Sequence, residues 1–140
     1  MVNSRNKGSQ YERSICQLFS LELGSQFNFK RDLEQYRSAD HGDIISDDPT
    51  WPFVVELKRY ASGPPGGQIA WWTQAVNAAT AADKLPVLIY KYDRADPIAV
   101  IQKKTIARAL GKQSKSIVRY WCEVPEFLTI AREVMAYDAS

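Results

Sequence analysis

Apolar residues follow a helical period near the start of this chain and a strand period near its middle. Helical spacing relates five of them: Tyr11, Ile15, Leu18, Phe19 and Leu23. This spacing predicts a helix over residues 6–23 that ends at Gly24. Side chains of a strand point alternately to two faces. Over residues 53–58, alternation gives each face three residues: Phe53, Val55 and Leu57 on one, and Val54, Glu56 and Lys58 on the other.

The rest of the chain divides into further elements at glycine- and proline-rich breaks, of which residues 61–67 are the clearest. The pattern predicts a strand or hairpin arm within 27–38, a short strand at Ile44–Ile45, and a nearly all-apolar helix over 68–83 that should be buried or lie at an interface. Strands follow at 86–92, 98–101 and 117–122, with helices near 103–110 and 126–137. The leading order of helix, three strands, helix and strand predicts an α/β fold with a mixed central sheet flanked by helices.

Size and composition indicate an ordinary globular protein. The chain has 140 residues, of which 45% are hydrophobic and 24% charged, so one domain spanning residues 1–140 is the simplest expectation. No run of eighteen apolar residues predicts a membrane span, and the first residues lack the apolar stretch of a secretory signal. We therefore expect a cytoplasmic protein without a membrane partner, whose Cys16 and Cys122 are reduced core thiols.

Charge is distributed unevenly along the chain, although the net charge is only +2. No Asp or Glu occurs between residues 97 and 122, where six basic residues lie: Lys103, Lys104, Arg108, Lys112, Lys115 and Arg119. Between residues 33 and 56 the balance is acidic. This pattern suits a protein that holds a cation at its acidic part and phosphate backbone at its basic part. An ordinary solvated helix face is the alternative for any single lysine.

Three charged residues stand in otherwise apolar strands. Glu56 and Lys58 share a face of the predicted strand, and Asp43 opens the segment Ile44–Ile45 that could pair with it. Because buried charges require compensation, this face is expected to hold a partner for them. Two carboxylates and a lysine suit a hard cation such as Mg²⁺ next to a phosphate.

This spacing resembles the signature of the PD-(D/E)XK nuclease superfamily, an acidic residue followed at a variable gap by Glu-x-Lys. Here Asp43 is followed by twelve residues and then Glu56-Leu57-Lys58. The family often has proline before the aspartate, where this chain has Gly42, so Asp40 and Asp47 stay open as alternative ligands.

The N-terminal run from Lys7 to Arg13 adds a more specific resemblance. Its Lys7-Gly8 and Glu12-Arg13 pairs are similar to the opening helix of archaeal-type Holliday junction resolvases, which viruses also carry. The resemblance covers about the first 60 residues and, through strand order, extends to about residue 102. It implies the αβββαβ core of restriction endonucleases and Mg²⁺, replaceable by Mn²⁺, held by Glu12, Asp43 and Glu56. It further implies catalysis by Lys58 and, less strongly, a supporting role for Gln74.

Glu12 and His41 each have a plainer interpretation. On a helical wheel Glu12 falls within the apolar arc, which favours a ligand or hydrogen-bonding role. The alternative is a carboxylate at the helix start that pairs with Arg13 or Lys7. His41 is the only histidine and, as a loop residue, is expected to lie on the surface.

We expect a Mg²⁺-dependent, structure-selective DNA endonuclease, first of all a Holliday junction resolvase that cuts four-way junctions as a homodimer. Its partner would be branched or duplex DNA. Sequence position marks six candidate DNA contacts: Lys7, Arg13, Arg59, Lys103, Lys104 and Arg108. Candidate dimer contacts are Trp71 and Trp72, or the region 121–135. Two alternatives remain, namely a repair, flap or restriction-type endonuclease of the same superfamily, and a non-catalytic DNA-binding protein with this fold.

Overall fold

A computed structural model describes residues 4–33 and 42–140, with side chains from residue 7 onward. The helices are α1 (Ser4–Leu23), α2 (Ile69–Ala82), α3 (Lys103–Ala109) and α4 (Val124–Ala139). The strands are β1 (Lys30–Arg31), β2 (Ile44–Ile45), β3 (Phe53–Arg59), β4 (Leu85–Lys91), β5 (Ile98–Gln102) and β6 (Arg119–Glu123). The predicted positions Asp40 and His41 lie outside the described residues.

The strands form one mixed sheet in the order β1-β2-β3-β4-β5-β6. Only the β3–β4 pair is parallel among these neighbours, and α2 makes the crossover between its two strands. A parallel pair requires such a crossover, whereas antiparallel neighbours need only a short turn. The predicted α/β class with a mixed sheet is confirmed.

The alternation predicted for β3 separates two layers of core. Phe53, Val55 and Leu57 belong to the larger core, which also includes residues of α1 and α4. On the other face, Val54 packs against Ala78 and Ala79 of α2. Both faces of β3 are therefore covered, as expected for a central strand next to a parallel neighbour.

α1 forms as its apolar spacing predicts and is anchored by one buried stripe. Tyr11, Ile15, Phe19 and Leu23 are all buried in the larger core. The helix is followed by Gly24, whose φ of 121° is accessible to glycine at little cost. The predicted end of the helix at Gly24 is thus confirmed.

Other predictions need correction. Within 27–38 the described part contains only the two-residue β1, preceded by a 3₁₀ turn at Ser25–Phe27. α2 is not buried all round: Trp71, Ala75, Ala78 and Ala79 are buried, whereas Ile69 is 61% exposed, and its place at an interface stays a prediction. The last strand begins at Arg119 rather than 117, and Ile117 and Val118 are exposed. α4 begins at Val124, with a proline in its first turn, where proline costs no helical hydrogen bond.

Both cysteines are free and buried, as predicted. Burial raises the pKa of Cys16 to about 11 and that of Cys122 to about 12. In the described part of the chain, no helix has the length and apolar character needed to span a bilayer.

Candidate active site

Asp43 is held against the middle of β3, beside the Glu-x-Lys residues. Ile44 pairs with Val55, and Asp43, just before β2, lies against the same part of β3. Asp43 is fixed there at two points. Its N–H donates to the carbonyl oxygen of Val55 at 2.8 Å, and its Oδ2 accepts a hydrogen bond from the Leu57 N–H at 2.7 Å. Because Leu57 directly follows Glu56, this second hydrogen bond places the Asp43 carboxylate next to the main chain of the Glu-x-Lys tripeptide.

Glycine at position 42 has a structural reason. A Cβ on Gly42 would collide with the carbonyl oxygen of Val55 and would lie 2.9 Å from its nitrogen. Backbone atoms of a central strand cannot move aside without disturbing the hydrogen bonds of the sheet. The departure from the usual proline therefore reflects the close approach of the chain that places Asp43.

Glu56 is the most deeply buried carboxylate of the predicted set, only 2% exposed, and Asp43 is 8% exposed. Glu56 pairs in register with Leu88 of the parallel neighbour β4, so apolar surroundings lie on that side. Lys58 follows two residues later on the same face and is half-buried. The strand rise places the Cα atoms of Glu56 and Lys58 about 6–7 Å apart. Two buried carboxylates, Asp43 and Glu56, thus lie along the same part of β3 as the half-buried Lys58.

Glu12 reaches this region from a different layer. It lies on α1, which packs on the face that carries Val55 and Leu57. Its Oε1 is 3.4 Å from the Arg31 guanidinium, which also donates to the Ser9 hydroxyl at 3.3 Å. The ion pair with Arg31 differs from the predicted alternatives, Arg13 and Lys7. Across residues 4–33 and 42–140, no three His, Cys, Asp or Glu side chains are grouped so as to hold a metal ion.

Lys7 and Arg59, two of the predicted DNA contacts, share one carboxylate. Asp93 lies 3.1 Å from Lys7 Nζ and 2.6 Å from an Arg59 nitrogen. The hydrogen bond from Lys7, followed by that from Arg59, lowers the pKa of Asp93 below its ordinary value. This triad joins α1, β3 and the β4–β5 turn next to the end of β3.

The other predicted residues are spread over the surface. Gln74, Arg13 and Lys103 are exposed. Lys104 and Arg108 line a groove, described below, and Arg108 makes two 2.8 Å hydrogen bonds to the Asp138 carboxylate. Asp47, the alternative ligand, is an exposed partner of Lys30 at 2.9 Å, and the hydrogen bond from Lys30 lowers its pKa.

Sequence reasoning missed Asp32, Arg31 and Asp93. The main-chain N–H of Asp32 donates to the Asp43 carbonyl at 3.0 Å, and the pairing of Arg31 with Ile44 places Asp32 opposite Asp43. For Arg31 and Asp32, the available signal was their charge within the alternating segment 27–38. Asp93 gave none, because its partners lie 34 and 86 positions away in the chain.

The loop at residues 61–67 is held by an aromatic cluster that pattern alone did not predict. Tyr60 stacks on Trp71 with ring centroids 4.8 Å apart. The hydroxyl of Tyr90 accepts a hydrogen bond from the Gly66 N–H at 2.9 Å, and the Tyr92 hydroxyl donates to the Pro64 carbonyl at 2.8 Å. The loop between β3 and α2 is therefore fastened beside the end of β3.

Comparison with known proteins agrees with the fold and the motif. The Holliday junction resolvase Hjc of Archaeoglobus fulgidus, an archaeal hyperthermophile, superposes with a TM-score of 0.55 at 15% identity, covering 86% of this chain and 99% of that one. At that identity the likeness shows the fold. No curated protein matches the sequence significantly. A family model described as "Phage putative PDDEXK endonuclease" matches residues 3–135. Since that match spans nearly the whole chain, this protein belongs to that PDDEXK endonuclease family.

Proposed function

We propose that this protein is a divalent-cation-dependent DNA endonuclease that cuts four-way junctions, with Asp43, Glu56 and Lys58 at its active site. The observation that carries the proposal is that Asp43, buried like Glu56, is hydrogen-bonded to the main chain between Glu56 and Lys58. Membership of an endonuclease family supports the chemistry. The Hjc-like fold and the resolvase-like opening helix favour the junction as substrate.

The donor set fits a magnesium ion. Mg²⁺ is usually bound by one or two carboxylates together with substrate phosphates and water, rather than by a complete protein cage. Asp43 and Glu56 supply two carboxylates on neighbouring strands, and Mn²⁺ prefers the same oxygen ligands. Glu12 is not grouped with these two carboxylates, so it would join the cation from α1 through a water, oriented by its ion pair with Arg31.

Hydrolysis adds a water oxygen to phosphorus and breaks the bond from phosphorus to the 3′ oxygen. The water gives up a proton and the leaving oxygen gains one, so the products are a 5′ phosphate and a 3′ hydroxyl. A divalent cation held by Asp43 and Glu56 would neutralise phosphate charge and lower the pKa of the attacking water. Lys58 would donate hydrogen bonds to the water or to a phosphate oxygen and stabilise the negative charge that develops there. Gln74 would assist from α2.

Resolution of a junction needs two symmetric cuts, and therefore two copies of the site in a two-fold dimer. Of the predicted interface residues, Trp71 is only 7% exposed within its own chain and offers little surface to a second copy. Trp121 is 47% exposed on the edge strand β6, and exposed Ile117 and Val118 precede it. These three side chains are the better candidates for contact with a second copy.

A second candidate function is cleavage of other DNA, such as flaps or nicked duplexes, by the same chemistry. The family description favours it, because it names an endonuclease without a junction substrate. The predicted contacts Lys7, Arg13, Arg59 and Lys103 would serve either substrate, as would the groove residues Lys104 and Arg108.

A four-substrate panel tests the proposal. Four-way junction, fork, single-stranded and linear duplex DNA are incubated with the protein in Mg²⁺, Mn²⁺ or EDTA, alongside Glu56→Gln. Paired symmetric nicks in the junction alone, lost in EDTA and in Glu56→Gln, are the expected result. Cleavage of all four substrates selects the second candidate. Equal turnover by Glu56→Gln and wild type refutes the assignment of the active site. No cleavage by wild type under any condition refutes the proposed endonuclease activity.

A further inference from the structure

A groove of about 660 Å³ opens where β3 and β4 begin. Its floor includes Trp51, Pro52 and Leu85, and its walls come from α3, the α3–β6 loop, the α2–β4 turn and the end of α4. Five cationic side chains line it: Lys84, Lys104, Arg108, Lys112 and Lys115. Asp83 and Asp138 are the acidic residues of the lining. This surface is called the basic groove below.

The basic groove has more positive side chains than carboxylates to neutralise them. Arg108 and Asp138 satisfy each other through two 2.8 Å hydrogen bonds. Four lysines then face a single remaining carboxylate, Asp83. Like charges held together repel one another, so the arrangement favours a polyanionic occupant.

Hydrogen bonds join the α3–β6 loop, which contains Lys112 and Lys115, to the main chain of α3. The Lys104 N–H donates to the Ser116 carbonyl at 2.9 Å, and the Lys103 N–H donates to the Val118 carbonyl at 2.8 Å. At the other end of the helix, the Lys112 N–H donates to the Ala107 carbonyl at 2.8 Å. Because the loop is fixed at both ends, Lys112 and Lys115 are presented on one side of the groove with little loop entropy left to lose on binding.

The basic groove is separate from the candidate active site. Phe53 and Leu85 pair where β3 and β4 begin, next to the groove floor, and Glu56 is three residues further along β3. At the rise of a strand, three residues span about 10 Å. A phosphate held in the groove is therefore not the phosphate being cut.

We infer that the basic groove holds the phosphate backbone of a DNA arm away from the cut. The inference rests on the proposed function for its DNA substrate, but concerns binding rather than cleavage. It assigns Lys112 and Lys115, with Lys104, to backbone contact that positions the duplex without reading its sequence.

The test compares two variants that lose the same charge. Lys112→Gln/Lys115→Gln removes groove lysines, whereas Arg94→Gln/Arg132→Gln removes two exposed arginines outside the groove. Binding to a fluorescent junction with long arms is measured by anisotropy in EDTA over a series of NaCl concentrations. Thermal unfolding of all proteins excludes a folding defect as the cause.

Each lost phosphate contact lowers the slope of log affinity against log salt by about 0.9, so the groove variant should lose about 1.8. If the two proteins have the same affinity when extrapolated to 1 M salt, this loss of slope corresponds to roughly 60-fold weaker binding by the groove variant at 0.1 M salt. The arginine variant should keep the wild-type slope.

Equal slopes for the groove variant and wild type on the long-armed junction would overturn the inference, as would an equal loss in the arginine variant. Neither result depends on cleavage. If wild type fails to cut any substrate while the groove variant loses slope, the proposed function falls and the groove still binds DNA. If cleavage proceeds and the slopes are equal, only the groove inference falls.

Discussion

The carboxylate of Asp43 accepts a hydrogen bond from the main-chain N–H of Leu57, the residue between Glu56 and Lys58. This 2.7 Å contact ties the isolated aspartate to the middle of the Glu-x-Lys tripeptide. Twelve residues separate Asp43 from Glu56 in sequence, yet the hydrogen bond gives them one rigid frame. A change at Asp43 therefore affects both charge and strand geometry, and the two effects can be separated.

Asp43→Asn and Asp43→Ala should differ in stability but not in activity. Asparagine keeps an oxygen that can accept the Leu57 N–H, whereas alanine leaves that buried donor unsatisfied at a cost of about 1–3 kcal/mol. Both variants lose the negative charge and should cut DNA roughly 100-fold or more slowly. Urea denaturation and single-turnover cleavage measure the two quantities. Equal stability of the two variants would show that the hydrogen bond contributes nothing.

Gly42→Ala and Gly8→Ala should shift stability in opposite directions. The added methyl at Gly42 meets backbone atoms of Val55, and such overpacking costs about 1–3 kcal/mol. At Gly8, within α1, nothing lies within 4 Å of the new methyl. Alanine there should stabilise the helix by about 0.5–1 kcal/mol. Thermal unfolding of both variants gives the sign of each change in stability. A Gly42→Ala protein as stable as wild type would contradict the close approach of Gly42 to the Val55 backbone.

Asp93→Asn should lower the melting temperature at neutral pH but not in acid. Because Lys7 and Arg59 lower the pKa of Asp93 in the folded state, its charge stabilises the fold at pH values above the unfolded pKa of about 3.9. That contribution disappears as pH falls through the lower folded pKa. Melting temperatures of wild type and Asp93→Asn should therefore differ at pH 7 and converge near pH 2. A difference that is the same at both pH values would show that charge is not its cause.

Cys16 and Cys122 should react slowly with thiol reagents in the native protein. Burial is the main cause that raises their pKa values to about 11 and about 12, and the thiolate is the reactive form. At pH 8 the lower thiolate fraction alone should slow Ellman's reaction at least about 100-fold relative to a free thiol. Both thiols should react at once in guanidinium chloride. Fast labelling of native protein would show that one cysteine opens to solvent.

Several features of the fold were readable from local pattern. The apolar stripe of α1 and its end at Gly24 follow from helical period and glycine's freedom, and both are confirmed. Alternation in β3 correctly assigned Val55 and Val54 to opposite faces. Patterns of this kind depend on neighbours in sequence. The exposure of Ile69 and Val118 was not predictable, because it depends on which distant elements pack there.

The sequence by itself determined the α/β class, the Asp43-to-Lys58 motif and the acid-free basic stretch, since each is a matter of residue type and spacing. Only the tertiary structure decided which partners these residues meet. It paired Glu12 with Arg31, joined Lys7 and Arg59 through Asp93, and explained glycine at position 42. It also gathered Lys84 from the α2–β4 turn with the lysines of α3 and the following loop. Such contacts join residues far apart in the chain, and sheet register and helix packing, rather than local spacing, set their distances.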